Sequence, residues 1–233
     1  MPILALTLDL DDTLWPMLPA LERADQAVDA WLQQHHPEVA RAWPIEAMRE
    51  LRARVAAERL DLAHDFTTQR QLTLEHAFAS CGITEAPVAA LWEIYFAERN
   101  SVELYPDSLP ALRRITAHWP LASLTNGNAD LQRIGIHAHF SHHICARDSG
   151  VAKPDPRIFR AAAALLGVAP GQILHVGDDP LMDVVGAREA GLRTAWINRD
   201  GQPWPTELGA SPELDLPDLM ALADWLDAQP ART

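Results

Sequence analysis

Two textures of apolar and polar positions alternate along the chain. Pro2 to Leu8 is a nearly unbroken apolar run in which Thr7 is the only polar side chain. A short continuous run predicts a strand over 3–8 that is buried on both faces, as in a parallel sheet. Residues 12–18 read as a turn holding Trp15 and Pro16. From 19 to 100 strand signals vanish and apolar positions recur at helical spacing. Leu21, Ala24, Val28, Trp31 and Leu32 predict a helix over Pro19–Gln34, stopped by Pro37. Pro44 opens a second, with Ile45, Met48, Leu51, Val55 and Leu62 on one stripe. Asp65 or Thr67 caps a third, closed by Gly82, and Pro87 opens a fourth. Four helices with short joints predict a small bundle inserted into another domain, with their stripes as its core.

After 101 strands and helices alternate. Strands are predicted at Leu121–Leu124, His142–Ala146, Ile173–Val176 and Leu192–Ile197. Helices are predicted at Pro106–His118, Ala129–Ile134, Arg157–Leu166, Met182–Ala190 and Pro217–Ala228, with 200–212 a Gly/Pro-rich loop. The fold class that follows is α/β: a Rossmann-like parallel sheet with an inserted all-helical domain. The expected division is 1–15 and 101–233 for the α/β core and 16–100 for the insert. Functional residues belong in the loops after the strands.

Composition narrows the partners. With 233 residues, 48% hydrophobic and 22% charged, the chain has ordinary globular content and can bury a full core. Its net charge of −13 argues against nucleic acid, whose phosphates need a basic face, but leaves room for a small phosphorylated ligand. Cys81 and Cys145 cannot form a disulfide framework, which suits a reducing compartment. No stretch has the apolar length of a membrane span, and the first apolar run lacks the length and basic flank of a signal peptide. The expectation is a soluble cytoplasmic protein, a monomer or homodimer, with neither membrane nor nucleic acid as partner.

Polar clusters stand at the predicted strand ends: Asp9, Asp11 and Asp12; Thr125-Asn126-Gly127; and Asp178, Asp179 and Asp183. Lys153 lies in a loop between them. Taken alone, the first cluster is either an acidic turn or a ligand site. If the strands are neighbours, carboxylates, a hydroxyl and an ammonium converge on one rim. Oxygen-only ligation of that kind favours Mg²⁺, and the lysine would neutralise a phosphoryl group or hold a carboxylate ionised. His137, His139, His142 and His143 match no zinc spacing and read as surface or loop residues.

On these residues the chain resembles the haloacid dehalogenase superfamily of phosphohydrolases. The resemblance runs through Asp9-x-Asp11-x-Thr13, Thr125, Lys153 and Gly177-Asp178-x-x-x-x-Asp183, in that order, with the helical insert after the first motif. It implies that superfamily's fold, with the insert as a cap over the rim. It implies Asp9 as the nucleophile that becomes an aspartyl-phosphate, and Asp11 as the general acid. The implied Mg²⁺ ligands are Asp9, the Asp11 backbone carbonyl and Asp178. Asp183 and Asp179 would act behind them, through water or by positioning Lys153. Thr125, the backbone amides of Asn126 and Gly127, and Lys153 would hold the phosphoryl oxygens. Asp12 would point away and serve the turn.

The resemblance also implies phosphate-ester hydrolysis over carbon–halogen cleavage, because the dehalogenase members need no metal and lack the acid that Asp11 supplies. The alternatives are a 2-haloacid dehalogenase, a phosphosugar mutase, which would use the same acid–nucleophile pair, or a non-catalytic binding protein on this scaffold. More closely, the chain is similar to the bacterial group that dephosphorylates FMN and the ribitylaminouracil phosphate of the riboflavin pathway. His64-Asp65-x-Thr67-x-x-Arg70, Trp119-Pro120-Leu121 and His175-Val176-Gly177-Asp178-Asp179 carry that similarity. It implies a small phosphorylated metabolite as partner, read by the insert, with Arg70, His64 and Trp15 as candidate contacts. The plainer reading of the first segment is a helix cap at Asp65 or Thr67 with Arg70 on a solvated face.

Overall fold

The computed structural model describes residues 2–229. The chain runs β1 (Ala5–Leu8), α1 (Met17–His35), α2 (Pro37–Ala42), α3 (Ile45–Glu58), α4 (Phe66–Ser80), α5 (Val88–Arg99), α6 (Ser108–Thr116), β2 (Leu121–Thr125) and α7 (Leu131–Ile134). It continues as β3 (His142–Cys145), α8 (Ala146–Ser149), α9 (Pro156–Leu166), β4 (Ile173–Gly177), a π turn (Pro180–Val185), α10 (Gly186–Glu189), β5 (Arg193–Ile197), β6 (Leu214–Leu216) and α11 (Leu219–Asp227). Two compact units result. One holds the residues up to Pro16, Glu103–Gly127 and those from Gly135 onward; the other holds Met17–Val102 and Asn128–Ile134.

In the α/β unit six parallel strands lie in the order β3-β2-β1-β4-β5-β6. Every residue of β1, β2 and β4 is buried, which is why their sequences are runs and not alternating patterns. The chain builds outward from β1 through β2 to β3, then returns to the other side of β1 with β4. Such a reversal opens a crevice at the C-terminal strand ends. Behind it Leu124 and Ile144 of the sheet pack with Ile158, Phe159 and Ala162 of α9 and Ala187 of α10. Phe159 alone, fully buried, stabilises the unit by roughly 1.5–3 kcal/mol.

Two features differ from the sequence pattern. β6 adds a parallel edge strand where the pattern has none, because Leu214-Asp215-Leu216 is too short to show a period and forms against the open edge of β5. The helix expected over Met182–Ala190 starts instead as the π turn, in which Val184 N–H reaches back to the Asp179 carbonyl at 3.3 Å.

In the helical unit α1 packs along α5, and α3 along α4. Leu32, Leu51, Val55, Leu74, Phe78 and Leu91 form its core. α2 is a helix beyond the expected four: Pro37 does not only end α1, it starts α2, where its missing N–H costs nothing. Asp65 caps α4, accepting from Thr68 N at 2.9 Å and Thr68 Oγ1 at 2.6 Å, an arrangement worth about 1 kcal/mol. The short α7 segment joins this unit through Asp130 N, which donates to Asn100 Oδ1 at 2.6 Å. Among the described residues no helix is long and apolar enough to cross a membrane.

Candidate active site

Asp9 follows β1, Thr125 closes β2 and Asp178 follows β4, and β1 lies between the other two strands, so the three ends are adjacent. Lys153 reaches them from the loop between α8 and α9, which is pinned twice. Asn126 brackets its backbone: Asn126 Oδ1 accepts from Lys153 N at 2.7 Å, and Nδ2 donates to Lys153 O at 2.9 Å. Gly186 lets α10 close against the same loop, since a Cβ there would lie 2.8 Å from Pro154 Cα and O.

One carboxylate oxygen each from Asp9, Asp178 and Asp183 lies within 4.8 Å of the others. Lys153 Nζ donates to Asp9 Oδ1 and Asp183 Oδ1, both at 2.6 Å. Asp183 is saturated: Oδ1 also accepts from His175 Nε2 at 3.1 Å, and Oδ2 accepts from Asp179 N at 3.0 Å. Gly177 is required beneath it, because a Cβ would fall 2.2 Å from Asp183 Cγ. Asp178 Oδ1 accepts the Thr13 hydroxyl at 2.8 Å. The second oxygens of Asp9 and Asp178 accept no hydrogen bond among the described residues.

Two buried acids, Asp9 and Asp183, and the half-buried Asp178 face one ammonium and set the electrostatics. Burial pushes Asp9 well above the usual carboxylate range, even against the pull of Lys153. Burial, helped by the charge of Asp183, pushes Asp178 up to about 7. Asp183 goes the other way: burial would raise it, but Lys153 and His175 hold it well below the usual range. Burial would lower Lys153, yet Asp183 and Asp9 raise it, so the ammonium stays charged. Burial also lowers His175. With Asp183 ionised and able only to accept, the neutral imidazole carries its proton on Nε2, and Nδ1 accepts from Thr7 Oγ1 at 2.8 Å. The surplus negative charge and the two open oxygens, on Asp9 and Asp178, fit a hard divalent cation of the Mg²⁺ kind.

Other expected residues fall into place differently. Asp11 Oδ1 accepts from Trp15 Nε1 at 3.0 Å. Trp15 is fully buried and its ring N–H holds Asp11, which places it in the core and not on an exposed wall. Asp12 sits at φ 58, a left-handed position that Asp tolerates in turns. Asp179 is exposed, and its carboxylate caps the following turn, accepting from Leu181 N and Met182 N at 2.8 and 2.7 Å. Its backbone alone meets Asp183: the amide donates to Asp183 Oδ2 and the carbonyl accepts from Asp183 N, both at 3.0 Å. Thr125 is buried, with its Oγ1 accepting from Gly127 N at 2.9 Å. In the helical unit, Arg70 is not on a solvated face: it pairs with Asp25 at 3.0 Å and lies 3.6 Å over the Tyr95 ring. His64 stands half-buried in the turn before α4, without a hydrogen bond among the described residues. His143 bonds Ser123 and His142 bonds Ser141, at the sheet's edge strand.

The contribution of His175 was not foreseen, although a signal for it exists. Thr7 and His175 are polar residues inside buried apolar strands, and they stand opposite each other in register.

Residues 3–191 match the family described as haloacid dehalogenase-like hydrolase. The chain is 32% identical over 232 residues to 5-amino-6-(5-phospho-D-ribitylamino)uracil phosphatase YigB of Escherichia coli (strain K12), covering 96% of each. It is 40% identical over 159 residues to the phosphoserine phosphatase of Thermus thermophilus, covering 64% of this chain and 62% of that protein. Among solved structures, a 2-haloacid dehalogenase from Pseudomonas syringae pv. Tomato DC3000 superposes with a TM-score of 0.87 at 32% identity, over 96% of this chain and 99% of that one.

Proposed function

The chain belongs to the haloacid dehalogenase-like hydrolases, and we propose that it is a Mg²⁺-assisted phosphomonoester hydrolase working through an aspartyl-phosphate on Asp9. The observation that carries this reading is the pair of open oxygens on Asp9 and Asp178 beside a saturated Asp183 and a charged Lys153. A carbon–halogen displacement needs one nucleophilic carboxylate; it gives no reason to crowd three acids around one ammonium.

In the proposed reaction Asp9 attacks phosphorus with one carboxylate oxygen and keeps the other for the cation, while Lys153 beside it offsets the charge. The bond from phosphorus to the leaving oxygen breaks as Asp11 gives that oxygen a proton. Trp15 keeps the Asp11 carboxylate in place for this. Water then attacks phosphorus, Asp11 takes its proton, and Asp9 and inorganic phosphate are released. The hydroxyl of Thr125, the amides after it and Lys153 hold the phosphoryl oxygens. When bound at Asp9 and Asp178, Mg²⁺ supplies the positive charge that lets a carboxylate approach a phosphate dianion. Asp183 and His175 do no chemistry; they fix the ammonium.

For substrate, the likeness to the Escherichia coli phosphatase supports the ribitylaminouracil phosphate, and the resemblance in the sequence motifs adds FMN. The test is a phosphate-release panel with Mg²⁺, covering FMN, nucleoside monophosphates, sugar phosphates, phosphoserine and 2-haloacids, the last read as halide. Release from the flavin-type esters above the others is expected. FMN among the poorest substrates, with its pyrimidine precursor no better, would overturn the substrate assignment. Halide release without phosphate release would overturn the chemistry.

A further inference from the structure

The helical unit gathers three arginines around a groove of its own, and Arg49 there also pairs with Glu46 at 2.9 Å. A groove opens among α1, α3 and α4, with Tyr95 of α5 at its edge and ≈ 510 Å³ of space counted out to its mouth. Arg49 and Arg52 of α3 and Arg70 of α4 all line it. Asp25 of α1 serves two of them: Oδ2 accepts from Arg49 Nε at 2.9 Å and Oδ1 from Arg70 Nη1 at 3.0 Å. Both of its oxygens are thereby engaged. The other lining acid, Asp29, takes the Gln33 amide at 2.6 Å. Arg52 makes no hydrogen bond or ion pair among the described residues. Burial, and then the charge of Arg70, push its pKa down. Val28, Leu32, Trp43, Ile45 and Met48 give the groove an apolar wall.

Asp25, the acid near Arg52, already has both oxygens on Arg49 and Arg70, and a half-buried guanidinium without a hydrogen-bonded anion beside apolar surface is destabilising unless one joins it. The chain as a whole carries −13, so a cationic groove is no by-product of composition. We propose that this groove binds a small amphipathic carboxylate, its head on Arg52 and its flat apolar body against Trp43 and Met48. The planar fork of Arg52 matches a carboxylate. A free phosphate offers the apolar wall nothing. The site lies wholly within the helical unit and does not depend on the phosphatase reading.

The test is calorimetric titration of the full chain with benzoate, which has both head and body, and with benzyl alcohol, which has the body alone. Benzoate is expected to bind saturably at one site, with benzyl alcohol at least about tenfold weaker. Inorganic phosphate should fail to displace it. Arg52→Met should weaken benzoate by about tenfold or more while melting at the wild-type temperature or higher, because an unpaired charge has gone. Asp9→Asn, in the other unit, should bind benzoate like wild type. Any of four results overturns the proposal: no saturable benzoate binding, equal binding by Arg52→Met, equal binding of benzyl alcohol, or displacement by inorganic phosphate.

Discussion

The two units bury charge in mirror-image fashion. In the α/β unit Asp9, Asp178 and Asp183 face Lys153; in the helical unit Arg49, Arg52 and Arg70 gather around Asp25, with Glu46 also on Arg49. Each cluster contains one saturated member, Asp183 or Asp25, and keeps open groups beside it. A purely structural ion pair closes its own donors and acceptors, so open groups next to a closed one mark the side from which a ligand comes. The units differ in precision. The acids stand on short side chains at strand ends and in the π turn, with Gly177 and His175 fixing Asp183 and Asn126 fixing the Lys153 loop. The arginines stand on long stems along helix faces. Fixed groups suit bond-making, and adaptable ones suit binding.

Breaking the acidic cluster should have the largest effects. Asp9→Asn should lower phosphate release by at least about 10³-fold, with the fold intact on circular dichroism. Lys153→Met leaves Asp9 and Asp183 facing each other in a buried site, and should cost about 3–5 kcal/mol in urea unfolding along with most activity. Unchanged stability would mean that the lysine neutralises nothing. His175→Ala removes the second donor to Asp183 and should cost about 1–3 kcal/mol. His175→Gln, which can still donate, should recover part of that loss, and failure to do so would show that ring packing matters more than the bond.

A smaller effect concerns pH. Asp9 and Asp178 are raised in the folded protein, so without metal they oppose folding once ionised. Asp183, held low, works the other way and loses its contribution in more acid solution, so metal-free stability should peak near the ordinary carboxylate range and fall as pH climbs toward about 7. Protons and Mg²⁺ compete for the same oxygens, so Mg²⁺ should raise the melting temperature at pH about 8 and hardly at all at about 5. An equal rise at both would place the cation elsewhere.

The same contrast explains what the sequence displayed. The acids and Lys153 are legible because each strand end puts its cluster in consecutive residues, and the parallel order of the strands then brings the clusters together. β1 and β4 are legible as apolar runs, while β6 is invisible because three residues carry no period. His175 shows its role only when Thr7 is set opposite it across the strand pair. The arginine groove could not be read at all: Arg49, Arg52 and Arg70 lie on two helices, and Asp25 on a third, so only packing reveals which cation is left over. Trp15, an aromatic beside a nucleophile, reads in sequence as a substrate wall, and only packing shows that its ring is buried against Asp11.

The most direct measurement traps the covalent state. Wild-type protein turning over an aryl phosphate with Mg²⁺ is quenched with borohydride, which reduces an acyl phosphate to the alcohol, and its peptides are weighed. Asp9 is expected to be recovered as homoserine, only when substrate is present. Steady phosphate release with Asp9 unmodified, or the reduced residue at another aspartate, would contradict the assignment of Asp9 as the nucleophile.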